Sequence, residues 1–226
     1  MAKPRVAILI SGRGSNMMAL IEAARDPSYP AEIALVISNQ ADASGLNLAK
    51  AAGIATAIVE HAPFGKDRES FERAMQEAIE GKATDLICLA GFMRLLTPWF
   101  VKRWEGRMLN IHPALLPAFK GLDTHRRALS AGVRIHGATV HLVSAEMDSG
   151  PIVAQGAIAV RGDDTAQTLA GRVLEIEHRI YPMALALVAA GRLRVVDARC
   201  VVDGEGENDQ VIIAPSDVRG QMSEDG

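Results

Sequence analysis

Val6-Ala7-Ile8-Leu9-Ile10-Ser11-Gly12-Arg13-Gly14-Ser15-Asn16, near the start of a 226-residue chain, decides the fold. Five apolar residues without alternation read as a strand buried on both faces, as in a parallel sheet. A glycine-rich turn follows, and the apolar spacing over 17–24 suits a helix. The stretch to residue 90 repeats this strand–loop–helix unit. A second strand is expected over 33–38, a polar turn over 39–44, and a helix over 45–52 with Gly53 as its C-cap. A third strand follows over 55–59. An amphipathic helix over 66–80 places Phe71, Met75 and Ile79 on one face, and a fourth strand spans 85–90. Such alternation predicts an α/β fold: a Rossmann-like, mixed but mainly parallel twisted sheet with helices on both faces.

After Gly91 the pattern changes. A helix is expected around 101–104, a short strand over 108–111, an irregular loop over 113–121 and a helix over 124–131. Residues 137–143 and 151–160 alternate like antiparallel strands about a turn at 146–150. A long helix over 165–190 carries Pro182, which predicts a kink or break. Residues 192–196 and 211–213 are expected to pair as a hairpin, and 222–226 reads as a frayed tail. The expected organisation is one domain over 1–200, divided into halves of about 1–90 and 91–200, with a C-terminal hairpin and tail over 201–226.

Hydrophobic residues make up 49% and charged residues 23%, with a net charge of -3, which excludes disorder as the general state. The same balance argues against the basic surface that bulk nucleic-acid or anionic-membrane binding requires. Two cysteines, Cys88 and Cys200, with no CxxC, exclude a disulfide framework and a cysteine-rich zinc site. Cys88, within Leu86-Ile87-Cys88-Leu89-Ala90, reads as a buried thiol. No apolar run approaches the roughly 20 residues of a membrane span. The N-terminus lacks the pattern of a secretion signal, so a cytoplasmic location is expected.

Three stretches could carry chemistry. In Gly12-Arg13-Gly14-Ser15-Asn16 the glycines let backbone N–H groups converge at a helix N-terminus, where the dipole favours an anion. A tight turn with an N-cap explains the same residues. The motif is not a Walker A sequence, and Met17 occupies the place of the third glycine of GxGxxG. A single phosphate is therefore the better fit than a dinucleotide. In Asn110-Ile111-His112-Pro113, Asn110 and His112 lie two apart, on one face of a strand. A carboxamide beside an imidazole suits a carbonyl oxygen that becomes negative, and a strand-end histidine satisfied by a neighbour is the plainer alternative. In Met147-Asp148-Ser149-Gly150-Pro151, Asp148 caps a turn or serves as a carboxylate that keeps a nearby histidine protonated. His141 would support it from behind. His125 and His136 lie in polar loop contexts and His61 near a turn. His178 beside Glu177 reads as a surface or packing residue. No HxH, HExxH or carboxylate cluster suggests a metal.

These motifs, together with Leu89-Ala90-Gly91-Phe92-Met93-Arg94-Leu95-Leu96, give the chain a resemblance to the folate-dependent formyltransferase family from about residue 6 to 195. Asn-x-His-Pro with the distal Asp-x-Gly-Pro marks the wider family. The early Ser-Gly-x-Gly-Ser-Asn is similar to its phosphoribosylglycinamide formyltransferase branch. The resemblance implies transfer of the formyl group of 10-formyltetrahydrofolate to the amine of glycinamide ribonucleotide, a step of purine synthesis, without a metal. It implies that Gly14, Ser15 and Asn16 bind the ribonucleotide, with Glu177 on the glycinamide side. Asn110, His112 and Asp148 would be the catalytic trio. Arg68, Met93, Arg94, Leu95, Leu96, Val143, Ser144 and Asp148 would hold the folate, with Asn110 touching its formyl group. Phe100, Val101 and Met108 would add apolar lining for a flat pterin. The partners would be the two small molecules, with no nucleic acid or membrane, in a monomer or weak homodimer.

The chemistry fits these types. When an amine attacks a formyl carbonyl, one preorganised donor to the oxyanion is worth roughly 3 kcal/mol, a factor of about 100 in rate. A carboxylate beside a histidine favours the imidazolium and can move protons. Two positions depart from the family pattern: Asp123 stands where some members carry histidine, and Ala114 where serine is common. Competing expectations are a formyltetrahydrofolate deformylase, which normally carries an extra N-terminal module, and a methionyl-tRNA formyltransferase, which usually adds a C-terminal RNA-binding domain. A non-catalytic folate- or nucleotide-binding module is a third, against which the trio argues.

Overall fold

A computed structural model describes residues 2–204. Seven strands form one sheet: β1 (Arg5–Ile10), β2 (Glu32–Ser38), β3 (Thr56–Ile58), β4 (Leu86–Leu89), β5 (Met108–His112), β6 (Ile135–Leu142) and β7 (Ile152–Ala159), in the order β3-β2-β1-β4-β5-β6-β7. The pairings among β1 to β5 are parallel. Those of β6 with β5 and with β7 are antiparallel. The expected mixed, mainly parallel sheet is therefore present.

Strand parity explains the layers. Val6, Ile8 and Ile10 pack with α1 (Ser15–Ala24), α2 (Ser44–Ala51) and α6 (Ala166–Ala189) on one face. Ala7 and Leu9 pack with α3 (Arg68–Glu80) and α4 (Pro98–Arg103) on the other. A side chain points to alternate faces at each step, so a strand roofed on both sides must be apolar throughout. The α3 face buries Phe71, Met75 and Ile79, as the spacing predicted, and begins at Asp67, whose carboxylate accepts from the Ser70 N–H. Gly53, at φ 77, closes α2 just past its end. Its N–H donates to Lys50 and that of Ile54 to Ala49, the double bond of a Schellman turn.

The second half of the sheet is covered differently. Leu109, Ile111, Ala138, Val140 and Leu142 join the core under α6. The opposite face of β5 and β6 carries Asn110, His112, Thr139 and His141, and loops 113–123 and 143–151 lie over it. The strand order reverses beside β1, which has β2 on one side and β4 on the other. Carboxyl ends diverge at such a point and leave a crevice.

Three expectations change. The helix α6 runs unbroken through Pro182. Proline removes only its own N–H from the ladder, and the fully buried Tyr181, Ala184 and Leu185 hold the turn in place. The Tyr181 hydroxyl also donates to the Leu89 and Leu109 carbonyls, tying α6 to β4 and β5. The strand β8 (Leu193–Val196) pairs with β9 (Arg199–Val202) rather than with a later segment. Asp197 and Ala198, both at positive φ, form its two-residue turn. Residues 211–213 and the tail lie outside the described residues. His136 is not in a loop: it sits in β6 and is buried. His125 lies in the first turn of α5 (Thr124–Ser130).

Candidate active site

The loop after β1 turns at Gly14, whose φ of 72 is the left-handed conformation that glycine adopts freely. Gly14 is the N-cap of α1, and no side chain caps that helix. The first-turn N–H groups of Ser15 and Asn16 thus have no side-chain cap, the local geometry an anion cradle requires. The loop is held from α2: the Gly45 N–H donates to the Gly12 carbonyl at 3.0 Å. Asn16 points inward and its Nδ2 donates to Glu177 Oε2 at 2.6 Å, while its Oδ1 is buried without a partner. Burial pushes the Glu177 carboxyl above the usual carboxylate range, and the Asn16 bond opposes this.

The expected trio comes together from β5 and the 143–151 loop, with His141 of β6 beside it. Asn110 stands directly opposite His141, and His112 opposite Thr139. His112 Nδ1 lies 3.5 Å from Asp148 Oδ2, and its Nε2 lies 3.0 Å from the Phe119 carbonyl. A carbonyl only accepts, so Nε2 carries a proton. His141 Nδ1 is 3.0 Å from the Leu142 carbonyl, which fixes its proton there. Its Nε2 accepts from Asn110 Nδ2 at 3.1 Å and lies 3.8 Å from Asp148 Oδ1. Burial pushes the His141 pKa down, against the pull of the Leu142 carbonyl and Asp148. Asp148 sits at φ 51, and the Gly121 N–H donates to its Oδ2 at 2.9 Å.

Thr139, Gln155 and Lys120, which no sequence motif marks, hold the surrounding loops. Thr139 Oγ1 donates to the Ala114 carbonyl and accepts from the Leu116 N–H, and Gln155 Nε2 donates to the Leu116 carbonyl beside the cis Leu116–Pro117 bond. Lys120 reaches Glu146 and Ser149 in the facing loop. Behind, the rings of His125 and His136 meet edge to face at 5.3 Å, and Phe119 packs on His136. Only the alternation of Thr139 and His141 opposite the apolar Ala138, Val140 and Leu142 could have marked the Thr139 face in advance.

Of the expected donor-site residues, Met93 and Leu95 are exposed at 68% and 61%, and Arg94 and Leu96 are half-buried. Arg68 is exposed on α3, with Nη1 3.5 Å from the Leu95 carbonyl. Val143 and Ser144 lie half-buried at the end of β6. Phe100, Val101 and Met108 do not line an open surface; they pack in the core with α3. Cys88 is fully buried as expected, with its thiol pushed up to about 12 by burial. Among the described residues no group of three or more His, Cys, Asp or Glu could hold a metal, and no helix is long and apolar enough to cross a membrane.

A carboxamide, an imidazole and a carboxylate gathered beside the crevice of a doubly covered α/β sheet suit an enzyme that acts on a carbonyl. Residues 4–185 match the formyl transferase family, and the chain belongs to that family. It is 50% identical over 193 residues to the trifunctional purine biosynthetic protein adenosine-3 of Bos taurus, covering 85% of this chain but only 19% of that protein. It is 42% identical over 200 residues to the phosphoribosylglycinamide formyltransferase of Escherichia coli (strain K12), covering 88% of this chain and 94% of that one. The crystal structure of glycinamide ribonucleotide transformylase 1 from Symbiobacterium toebii superimposes with a TM-score of 0.86 at 42% identity, over 89% of this chain and 94% of that one.

Proposed function

We propose that the chain transfers the formyl group of 10-formyltetrahydrofolate to the amine of glycinamide ribonucleotide, giving formylglycinamide ribonucleotide and tetrahydrofolate. The single observation that carries the reading is the His112–Asp148 pair with Asn110 beside it, placed at the same carboxyl end of the parallel strands as an uncapped helix N-terminus. The near full-length match to the Escherichia coli enzyme supports the choice of substrates. The catalytic unit is residues 1–200, with about 1–90 holding the ribonucleotide and about 91–200 the donor.

In this reading the N–H groups after Gly14 take the phosphate, and Asn16 and Glu177 shape the floor toward the glycinamide. Arg68 and Met93 to Leu96 take the folate, with Val143 and Ser144 beside it. The neutral amine attacks the formyl carbon. Its carbonyl electrons move to oxygen, and the C–N bond to the folate nitrogen then breaks. Asn110 Nδ2 has one N–H on His141 and a second free for the oxyanion. His112 Nε2–H now faces the Phe119 carbonyl. It serves the oxyanion by exchanging that carbonyl for the substrate oxygen, so the 113–121 loop takes part. Asp148, held by Gly121, stabilises the positive charge on His112 and passes the proton lost by the amine towards the leaving nitrogen, directly or through water.

The test follows tetrahydrofolate formation from 10-formyltetrahydrofolate with and without glycinamide ribonucleotide. Turnover that requires the ribonucleotide is expected. Equal turnover without it would make the chain a hydrolase and remove the phosphate role of the loop after β1.

A further inference from the structure

Glu72 is a buried carboxylate that the reaction above does not use. It lies on the apolar face of α3 between Phe71 and Met75 and is 1% exposed. A charge in such a place requires a partner. Its Oε1 accepts from the Thr97 N–H at 2.6 Å, and its Oε2 from the Thr97 hydroxyl. Burial raises its pKa, and the two Thr97 bonds oppose the rise. Thr97 is the last residue before α4 and the first after Met93-Arg94-Leu95-Leu96.

The other end of the same segment is fixed by Ser11, the first residue after β1. The Ser11 N–H donates to the Gly91 carbonyl at 3.2 Å, and Ser11 Oγ accepts from the Met93 N–H at 2.8 Å. Ser11 Oγ in turn donates to Asn39 Oδ1 at 2.6 Å, and Asn39 Nδ2 lies 3.1 Å from His61 Nδ1. The strap 91–97 thus carries exposed Met93 and Leu95 between two side-chain anchors from distant parts of the chain.

We propose that Glu72 and Ser11 are positioning residues for the formyl donor, fixing both ends of the strap that receives it. This rests on the reading of Met93 to Leu96 as the donor site. A strap released at one end samples more conformations, and the donor must then order it on binding. The loss falls on donor affinity. The reacting groups on β5, β6 and the 143–151 loop are untouched, because neither anchor contacts them. Ser11 also begins the phosphate loop, so its loss reaches both substrates, whereas that of Glu72 reaches one.

The experiment compares Glu72→Ala, Glu72→Gln, Ser11→Ala and, as a control, Glu77→Gln, which removes an exposed charge from the same helix. Calorimetry with 5-formyltetrahydrofolate reads donor-site affinity. Transfer kinetics read the KM for each substrate against kcat. Amide exchange reads protection of Met93 and Thr97. Glu72→Ala takes the acceptor from both the Thr97 N–H and its hydroxyl and is expected to weaken folate binding about tenfold and to expose the Thr97 amide. It leaves the ribonucleotide KM unchanged and kcat within about threefold. Glu72→Gln keeps one acceptor for the Thr97 N–H and restores most of the affinity. Ser11→Ala exposes Met93 and raises both KM values. Should Glu72→Ala not fold, Glu72→Gln decides: a small rise in donor KM with faster Thr97 exchange supports the proposal, and wild-type values for both overturn it. Wild-type folate binding in a folded Glu72→Ala overturns it as well, and leaves the transferase reading standing. A wild-type chain that binds no reduced folate refutes that reading and this inference together.

Discussion

In the loop after β1 the turn itself is set from backbone to backbone, by the Gly45 N–H to the Gly12 carbonyl, the Met18 N–H to the Gly14 carbonyl and a left-handed turn at Gly14, while the side chains of Ser11 and Asn16 tie its two ends to Asn39, Met93 and Glu177. In the two loops over β5 and β6 they run through side chains: His112 to Phe119, Asp148 to Gly121, Thr139 to Ala114 and Leu116, and Lys120 to Glu146 and Ser149. The first design presents peptide dipoles, which do not titrate and suit an anionic ligand. The second concentrates histidines and a carboxylate, which suits proton movement and makes the region sensitive to pH and to single side chains. The turn at Gly12 to Gly14 is therefore vulnerable to added bulk, and the second region to lost polar atoms.

The sharpest way to test that contrast is to remove polar atoms from the second region. His112→Ala and Asp148→Asn are each expected to lower kcat by roughly a hundredfold to ten-thousandfold, the range for a lost oxyanion donor or proton carrier. Binding of 5-formyltetrahydrofolate should persist, as calorimetry would show. An Asp148→Asn enzyme with wild-type kcat would remove Asp148 from the mechanism.

Added bulk should hurt the first region next. A Cβ at Gly45 would stand 2.7 Å from Ile10 Cδ1 and 2.9 Å from the Gly12 carbonyl oxygen. Gly45→Ala is expected to cost about 1–3 kcal/mol of stability and to raise the KM for the ribonucleotide more than that for the donor. Thermal unfolding and the two KM values check this, and equal rises in both would break the assignment of the loop to one substrate.

The pH response should separate the regions again. Burial, helped by the neighbouring His125, holds His136 down to about 4, despite a bond to the Pro113 carbonyl that favours the charged form. The unfolded chain, with an ordinary histidine near 6.5, binds the proton first. Stability is thus full above about 6.5 and falls as pH drops towards about 4, by at most about 1.4 kcal/mol per pH unit from this group. Melting temperatures from neutral pH downward should fall less steeply in His136→Phe. An unchanged slope would mean that His136 is not the group that titrates.

The smallest effect belongs to Lys120→Met. Lys120 joins the two loops through exposed partners, with Glu146 78% exposed. Pairs of that kind contribute under about 1 kcal/mol. Transfer rates should stay within about threefold of wild type, and a larger loss would show that the loop junction itself sets the position of Asp148.

Much of this protein follows from the sequence alone. Unbroken apolar runs at residues 6–10, 33–37 and 86–90, separated by helical spacing, force strands that must be covered on both faces, and a parallel sheet is the arrangement that does so. The two-residue spacing of Asn110 and His112 put both on one face because strand geometry has a period of two. Which face, and what lay opposite, depended on register. His141 meets Asn110 only because β6 pairs antiparallel at that position, and Asp148 reaches His112 only because its loop folds back over the strand. The Asn16–Glu177 bond spans 161 residues, and the Thr97–Glu72 bonds span 25. Local patterning is written in the order of the residues, whereas these meetings are set by how separate elements pack. A polar side chain on an apolar face, such as Glu72, signals that a partner must exist, and only the tertiary structure supplies which one.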